Sequence, residues 1–154
     1  MDDAVESSFL DETTESLLEQ SQQNAQGMIL ATIAVLDDLG LLPDAWADAV
    51  AERFSVAWGM EEPWDASEFL DAMLTNYRAL GAVVEQPITI DGVASATISG
   101  FPDEELCELF GVSPEDAAVF HCIAAGIARP RGLVWMWELL DDGETRLIVT
   151  ATQE

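Results

Sequence analysis

The chain contains no lysine. Its five basic residues are all arginine, set against thirty acidic ones. Nucleic-acid binding by the usual route needs a basic surface that releases counterions, and this composition does not supply one. Histidine occurs once, at His121, and cysteine twice, at Cys107 and Cys122. Zinc sites need several ligands at paired Cys or His spacing, so no metal and no cofactor is expected. Two cysteines make no secreted disulfide framework. The longest apolar run, residues 117–128, includes His121 and falls well short of the ~20 residues of a membrane-spanning helix. The start, Met1-Asp2-Asp3, is acidic where an export signal is basic. Gly-rich phosphate loops, dinucleotide fingerprints, His-Glu-x-x-His and Gly-x-Ser-x-Gly are all missing. These absences predict a cytoplasmic protein with no membrane and no direct nucleic-acid contact.

What is present is charge of one sign, together with ample apolar bulk. The formal net charge is −25 on 154 residues. Like charges on a compact surface keep a protein in solution but oppose its folding. Salt shortens the reach of that repulsion from about 8 Å at physiological ionic strength to about 3 Å at 1 M. Two settings tolerate such a surface: the salt-rich cytoplasm of a halophile, or an ordinary cytoplasm with a basic partner. Missing lysine leans towards the first, or towards a GC-rich genome that writes Arg in its place. Disordered acidic chains are poor in hydrophobic residues, whereas this one is 49% hydrophobic, with five Trp and six Phe. A chain of this length buries roughly 68–70% of its unfolded surface, enough for one core. One domain is expected over residues 21–154, after a loosely held acidic arm at 1–20 with Phe9, Leu10, Leu17 and Leu18 on a weak helical face.

Apolar spacing predicts a helix from near Asn24 to Gly40, a second from Pro43 to Gly59, and, after the connector Glu61-Glu62-Pro63-Trp64, a third between the capping pair Asp65/Glu68 and Gly81. The period then changes. Residues 83–90 and 93–98 read as a hairpin about Asp91-Gly92, with Pro87 marking an edge strand or a bulge. A short helix follows Phe101-Pro102-Asp103 and closes at Gly111. Ser113-Pro114-Glu115-Asp116 starts a helix that runs to about Ala128 and is apolar nearly all round, so it is expected to be buried on more than one side. Its small residues, Gly126 among them, let neighbouring backbones come close. Strands at 133–140 and 145–151 close the chain about Asp141-Asp142-Gly143, placing Trp135, Trp137 and Leu139 on one face. The expected class is α+β: N-terminal helices, then an antiparallel sheet of hairpins packed against a buried helix.

Chemistry-bearing candidates are few. Cys107 lies early in a helix whose dipole favours a thiolate, but Glu104, Glu105 and Glu108 oppose it. Cys122 reads as a buried structural thiol. His121 adjoins it, yet neighbours in a helix point about 100° apart and form no dyad; the residue reads as a core imidazole or as a polar group lining a pocket. Arg129, Arg131 and Arg146 are the basic concentration, either compensating helix ends and acids or forming a fork for an anionic ligand group. Phe120, His121, Trp135, Trp137 and Arg146 are the expected ligand-binding set, around a cavity between the 114–128 helix and the final hairpin.

From about Leu80 onward the layout resembles the L-2-amino-thiazoline-4-carboxylic acid hydrolase-like family and the related vinyl-reductase-type ligand-binding domains. The likeness rests on a strand after Gly81, a helix bearing Cys107, a second helix bearing Cys122, and a closing hairpin at Gly143-Glu144. Where those families commonly read Gly-Asp and then Cys three residues on, this chain has Glu144 and Leu147, which removes a residue associated with their chemistry. The resemblance implies an α+β domain that forms a homodimer and holds a small hydrophobic or amino-acid-like ligand. Three functions follow as expectations: a small-molecule-binding or sensing domain; a hydrolase of the resembled family using Cys107 or His121; and an acidic interaction protein with a basic partner.

Overall fold

A capped helix needs little apolar signal to begin, and the first helix illustrates this. The computed structural model describes residues 13–58 and 64–153. Thr13 is extended and its hydroxyl accepts the backbone N–H of Ser16 at 3.1 Å. Helix α1 (Thr14–Asp38) therefore starts well before Asn24. Residues 13–20 of the expected arm belong to this helix; Phe9, Leu10 and the rest of residues 1–12 lie outside the described residues. Apolar spacing does not reveal these turns because Leu17 and Leu18 stay exposed. Only from Gln26 onward does a buried stripe appear, with Gly27, Leu30 and Ile33.

Helix α2 (Pro43–Ala57) has proline at its first turn, where the missing N–H costs nothing. The expected stop at Gly59 and the connector residues 61–63 lie outside the described residues. Helix α3 (Ala66–Ala79) opens with the capping box expected at Asp65/Glu68: Asp65 Oδ1 accepts the Glu68 N–H at 2.8 Å, and Glu68 returns a carboxylate to the Asp65 N–H. Its inward stripe is Phe69, Leu70, Met73, Leu74 and Tyr77.

The sheet contains β1 (Val83–Val84), β2 (Ile88–Ile90), β3 (Val93–Ser99), β4 (Leu133–Leu139) and β5 (Thr145–Ala151), all pairing antiparallel. β1 and β2 lie end to end along one edge of β3, with Pro87 between them; β5 flanks β3 on the other side and β4 forms the far edge. Asp91 and Gly92 both take positive φ, 51° and 79°, the backbone of the tight turn that matches strand twist. Period-two burial is clean in β3 and β5: Ala94, Ala96, Ile98, Thr145, Leu147 and Val149 point to the helices.

Between β3 and β4 run α4 (Glu104–Phe110), α5 (Pro114–Ala117) and α6 (His121–Ala128). The single helix expected over 114–128 is divided: Ala118–Phe120 tighten into a 3-10 turn between α5 and α6. No glycine or proline marks that change, so local sequence could not announce it. Helix α6 packs on β4 with one flank and on α2 with the other, the two-sided burial that its composition predicted. At the α2 crossing a Cβ on Gly126 would lie 2.5 Å from Ala51 Cβ. Arg131 ties the same region down by donating to Ser55 Oγ, Ser55 O and Ile127 O at 2.8–2.9 Å. The chain is thus an α+β fold with its helices N-terminal. The described acidic side chains are all exposed or half-exposed. No described helix is long and apolar enough to cross a membrane.

Candidate functional site: an apolar cavity beside a buried Tyr–His pair

The inward stripe of α3 brings Tyr77 against the start of α6. There its hydroxyl meets His121 Nδ1 at 2.5 Å, with the tyrosine 2% and the histidine 0% exposed. Burial disfavours both charged forms. It lowers the His121 pKa to about 3 and pushes the Tyr77 phenol up, an effect that Cys122 reinforces. The imidazole is neutral. With the phenol donating to Nδ1, its own hydrogen sits on Nε2, a buried atom without a hydrogen-bond partner among the described residues; Trp135 Nε1 is another. Trp135 stacks parallel to Tyr77 at 6.4 Å between centroids, and Trp137 lies 5.6 Å from His121. Phe101 and Phe120 close the cluster at 4.8 Å from each other.

Rings fill the space between the start of α6 and Trp135, while nearer the hairpin turn Trp137 and Leu139 of β4 and Ala118, Val119 and Cys122 line a hollow between the 114–128 segment and the final hairpin, the place expected for a cavity. Further open space lies on the other flank of α6. A cavity of about 380 Å³ is lined by Ile29 of α1, by Trp46, Val50 and Phe54 of α2 with Trp58 capping its end, by Met73, Asn76, Tyr77 and Ala79 of α3 with Leu80 capping its end, and by Phe120, Ile123, Ala124 and Ile127. The helical repeat explains the set: 46, 50, 54 and 58 succeed one another at four-residue steps, which lays them along one face of α2. Among the described residues no charged side chain lines this space. Its polar side chains are Asn76 and Tyr77, and the Tyr77 hydroxyl already bonds His121.

Of the five residues expected to bind ligand, Phe120 lines the cavity. His121 and Trp135 stand behind its Tyr77 wall. Trp137 lines the hollow near the hairpin turn, of about 420 Å³, shared with Cys122 and rimmed by Asp37, Asp44, Glu115 and Asp116. Arg146 is a correction to the expected set. It alternates with the inward Thr145 and Leu147, so it projects from the opposite face of the sheet, where it pairs with Glu138 at 3.4 Å. The residues that spacing could not assign to a cavity are Trp46, Phe54 and Trp58: their periodicity signals a helix face, and a core face and a cavity wall share that period.

The thiols are placed unfavourably for nucleophilic chemistry. Cys107 belongs to a separate apolar cluster with Leu30, Ile33, Val112 and Ala117. Burial and the Asp103 and Glu104 carboxylates push its pKa up; burial, Asp44 and Asp48 do the same at Cys122. Both thiols stay protonated at neutral pH. Among the described residues no group of three or more His, Cys, Asp or Glu is arranged to hold a metal. A buried polar residue that spacing did not flag is Gln26. Its amide donates to Leu80 O and Gly100 O and accepts from the Asp103 N–H at 2.6–3.1 Å, joining α1 to the end of α3 and the start of α4. Compared with protein-family models, with curated proteins and with solved structures, the chain matches none.

Proposed function

We propose that this protein binds a small, uncharged, predominantly apolar molecule in the cavity among α1, α2, α3 and α6. The observation that carries the reading is an aromatic-walled space of about 380 Å³ with no charged residue among its described lining, a volume and a chemistry typical of small-molecule sites. The uncharged lining narrows the ligand. An ionised carboxylate or ammonium entering this wall would lose its hydration without a counter-charge, and the arginine expected to hold an anion, Arg146, lies across the sheet. A neutral hydrophobic ligand fits better than an amino-acid-like one.

Binding, in this reading, takes precedence over catalysis. A hydrolase of the family resembled in the C-terminal half would need a nucleophile, and the raised pKa values of Cys107 and Cys122 work against both thiols. His121 is neutral, sealed and engaged with Tyr77, which suits a rigid cavity wall more than a proton shuttle.

The test is a ligand-dependent shift in melting temperature, read with the neutral dye Nile red and with matched pairs of a medium-chain alcohol and its carboxylate. A ligand at about 100 times its Kd stabilises by roughly 2.7 kcal/mol. The alcohol should raise the melting temperature and its carboxylate should not. Ala124→Leu, which places bulk into the space, should abolish the shift. Indifference to every neutral compound, or equal response to both members of a pair, overturns the proposal.

A further inference from the structure

Strand β4 is the outermost strand of the sheet, and its hydrogen bonds fix which backbone groups face outward. The Thr152 N–H donates to Gly132 O and the Leu140 N–H to Glu144 O, both at 2.8 Å. Even-numbered residues of β4 therefore bond to β5, and antiparallel alternation turns the N–H and C=O of Trp135, Trp137 and Leu139 to the open edge. Such a row is a template for another strand. The hollow of about 420 Å³ lies at this edge. Trp137 and Leu139 line it, while β5 and α3 contribute nothing, so it opens on the side of β4 away from the rest of the sheet. Its rim carries Asp37 from the end of α1, Asp44 from the start of α2, and Glu115 and Asp116 from α5. None of the four is paired with an arginine among the described residues, and no three of them converge to hold a metal ion.

We infer that the β4 edge and this hollow together form a docking site for an extended basic segment of another protein, which adds as a further strand beside β4. Charge complementarity selects that occupant. A second copy pairing edge to edge would bring two acidic rims together, and like charges across a strand pair repel. A basic segment meets the opposite sign, and the net charge of −25 draws it in. Register then says where its charges belong. Side chains directly opposite one another share a face of the sheet, so residues opposite Trp137 and Leu139 point with them to the hollow. An arginine there reaches the rim carboxylates and can lay its guanidinium over the Trp137 ring. Residues between them point to the outer face, where the neighbouring Met136 is exposed and an apolar side chain can cover it. The site thus fits basic residues that alternate with apolar ones and not a basic run. The inference is independent of the apolar cavity, since the two linings share no residue.

Fluorescence anisotropy with the full chain and labelled peptides decides it. One short peptide alternates arginine with valine, and a second has the same composition with its arginines in one block. At about 0.1 M NaCl, where charge acts over about 10 Å, the alternating peptide should bind about tenfold tighter. Asp37→Asn with Asp44→Asn should weaken it about tenfold. Asp71→Asn with Glu85→Gln, which removes the same charge away from the hollow, should leave it unchanged. If the first pair alters the far-UV circular dichroism spectrum, Glu115→Gln with Asp116→Asn replaces it. Methylating one alternate set of the peptide's backbone nitrogens should abolish binding and methylating the other should spare it, because one set faces β4. Equal affinity for the two peptides, equal losses in the two protein variants, or equal tolerance of both methylated sets overturns the inference. So does an absence of binding up to about 1 mM.

Discussion

Helix α6 separates two aromatic regions made from the same kinds of residue to opposite effect. On its sheet side Tyr77, Phe101, His121 and Trp135 meet at centroid separations of 5.6–6.4 Å, every one of them almost wholly buried. On its other side Trp46, Phe54 and Trp58 face α6 across about 380 Å³ of open space. The closed region has a floor: Ala94 and Ala96 keep the sheet low under α3, and large rings fill the depth they leave. The open region is walled by helices alone. Between them α2 crosses α6 tightly at Ala51 and Gly126. Aromatic side chains fill a core where a sheet closes one side, and bound a cavity where the walls are helices alone.

The largest effect should come from truncating one ring on each side. Trp135 is 4% exposed and stacks on Tyr77. Trp135→Ala should cost about 3–5 kcal/mol in urea unfolding, as large-to-small core changes do. Phe54 is 54% exposed at the cavity margin, and Phe54→Ala should cost under about 1 kcal/mol while weakening any apolar ligand. Equal losses at the two sites would mean that the second region is also packed, and the comparison would fail.

Smaller additions sharpen the same contrast within one helix. Gly126→Ala forces a Cβ to 2.5 Å from Ala51, and overpacking of this kind costs about 1–3 kcal/mol. Ala124, two residues away, lines the cavity. Ala124→Leu adds more volume yet should leave the urea midpoint unchanged or raise it, because the added carbons enter empty space and leave water. A midpoint lowered by Ala124→Leu more than by Gly126→Ala would reverse the assignment of the two flanks.

Much of the scaffold was legible because it is written in local chemistry. The Asp65/Glu68 box, Pro43 and Pro114 at helix starts, Asp91-Gly92 at the hairpin and Pro87 on the edge strand each act through their own backbone, and each stands where its chemistry requires. Burial of the His121 segment was legible too, from a run apolar on every side. The cavity was not. The 3.6-residue period places Trp46, Phe54 and Trp58 on one face of α2 without saying whether that face meets a neighbour or a void, since the answer depends on how α1, α2 and α3 diverge. Arg146 was misassigned for a related reason. Alternation along β5 puts it opposite Leu147, but which face carries the helices is decided by the whole sheet. Gln26 escaped because a buried amide with three backbone partners has the same spacing as an exposed one.

The buried pair gives the smallest and most selective way to probe the closed side. His121 has a pKa of about 3 in the folded chain against 6.5 in a free imidazole. As pH falls, the unfolded chain takes up its proton first. The contribution from this group is complete above about pH 6.5 and drains away between there and about pH 3, with a slope of up to about 1.4 kcal/mol per unit. The many carboxylates complicate the raw curve, since their protonation relieves repulsion in the same acid range. Comparison with His121→Gln removes them: its amide oxygen can still accept from Tyr77, and it does not titrate. Between about pH 6.5 and 5 the wild type should lose about 1.6 kcal/mol relative to the variant in urea unfolding. A constant difference would mean that water reaches the imidazole in the folded state, and the sheet side of α6 would then be as open as the other.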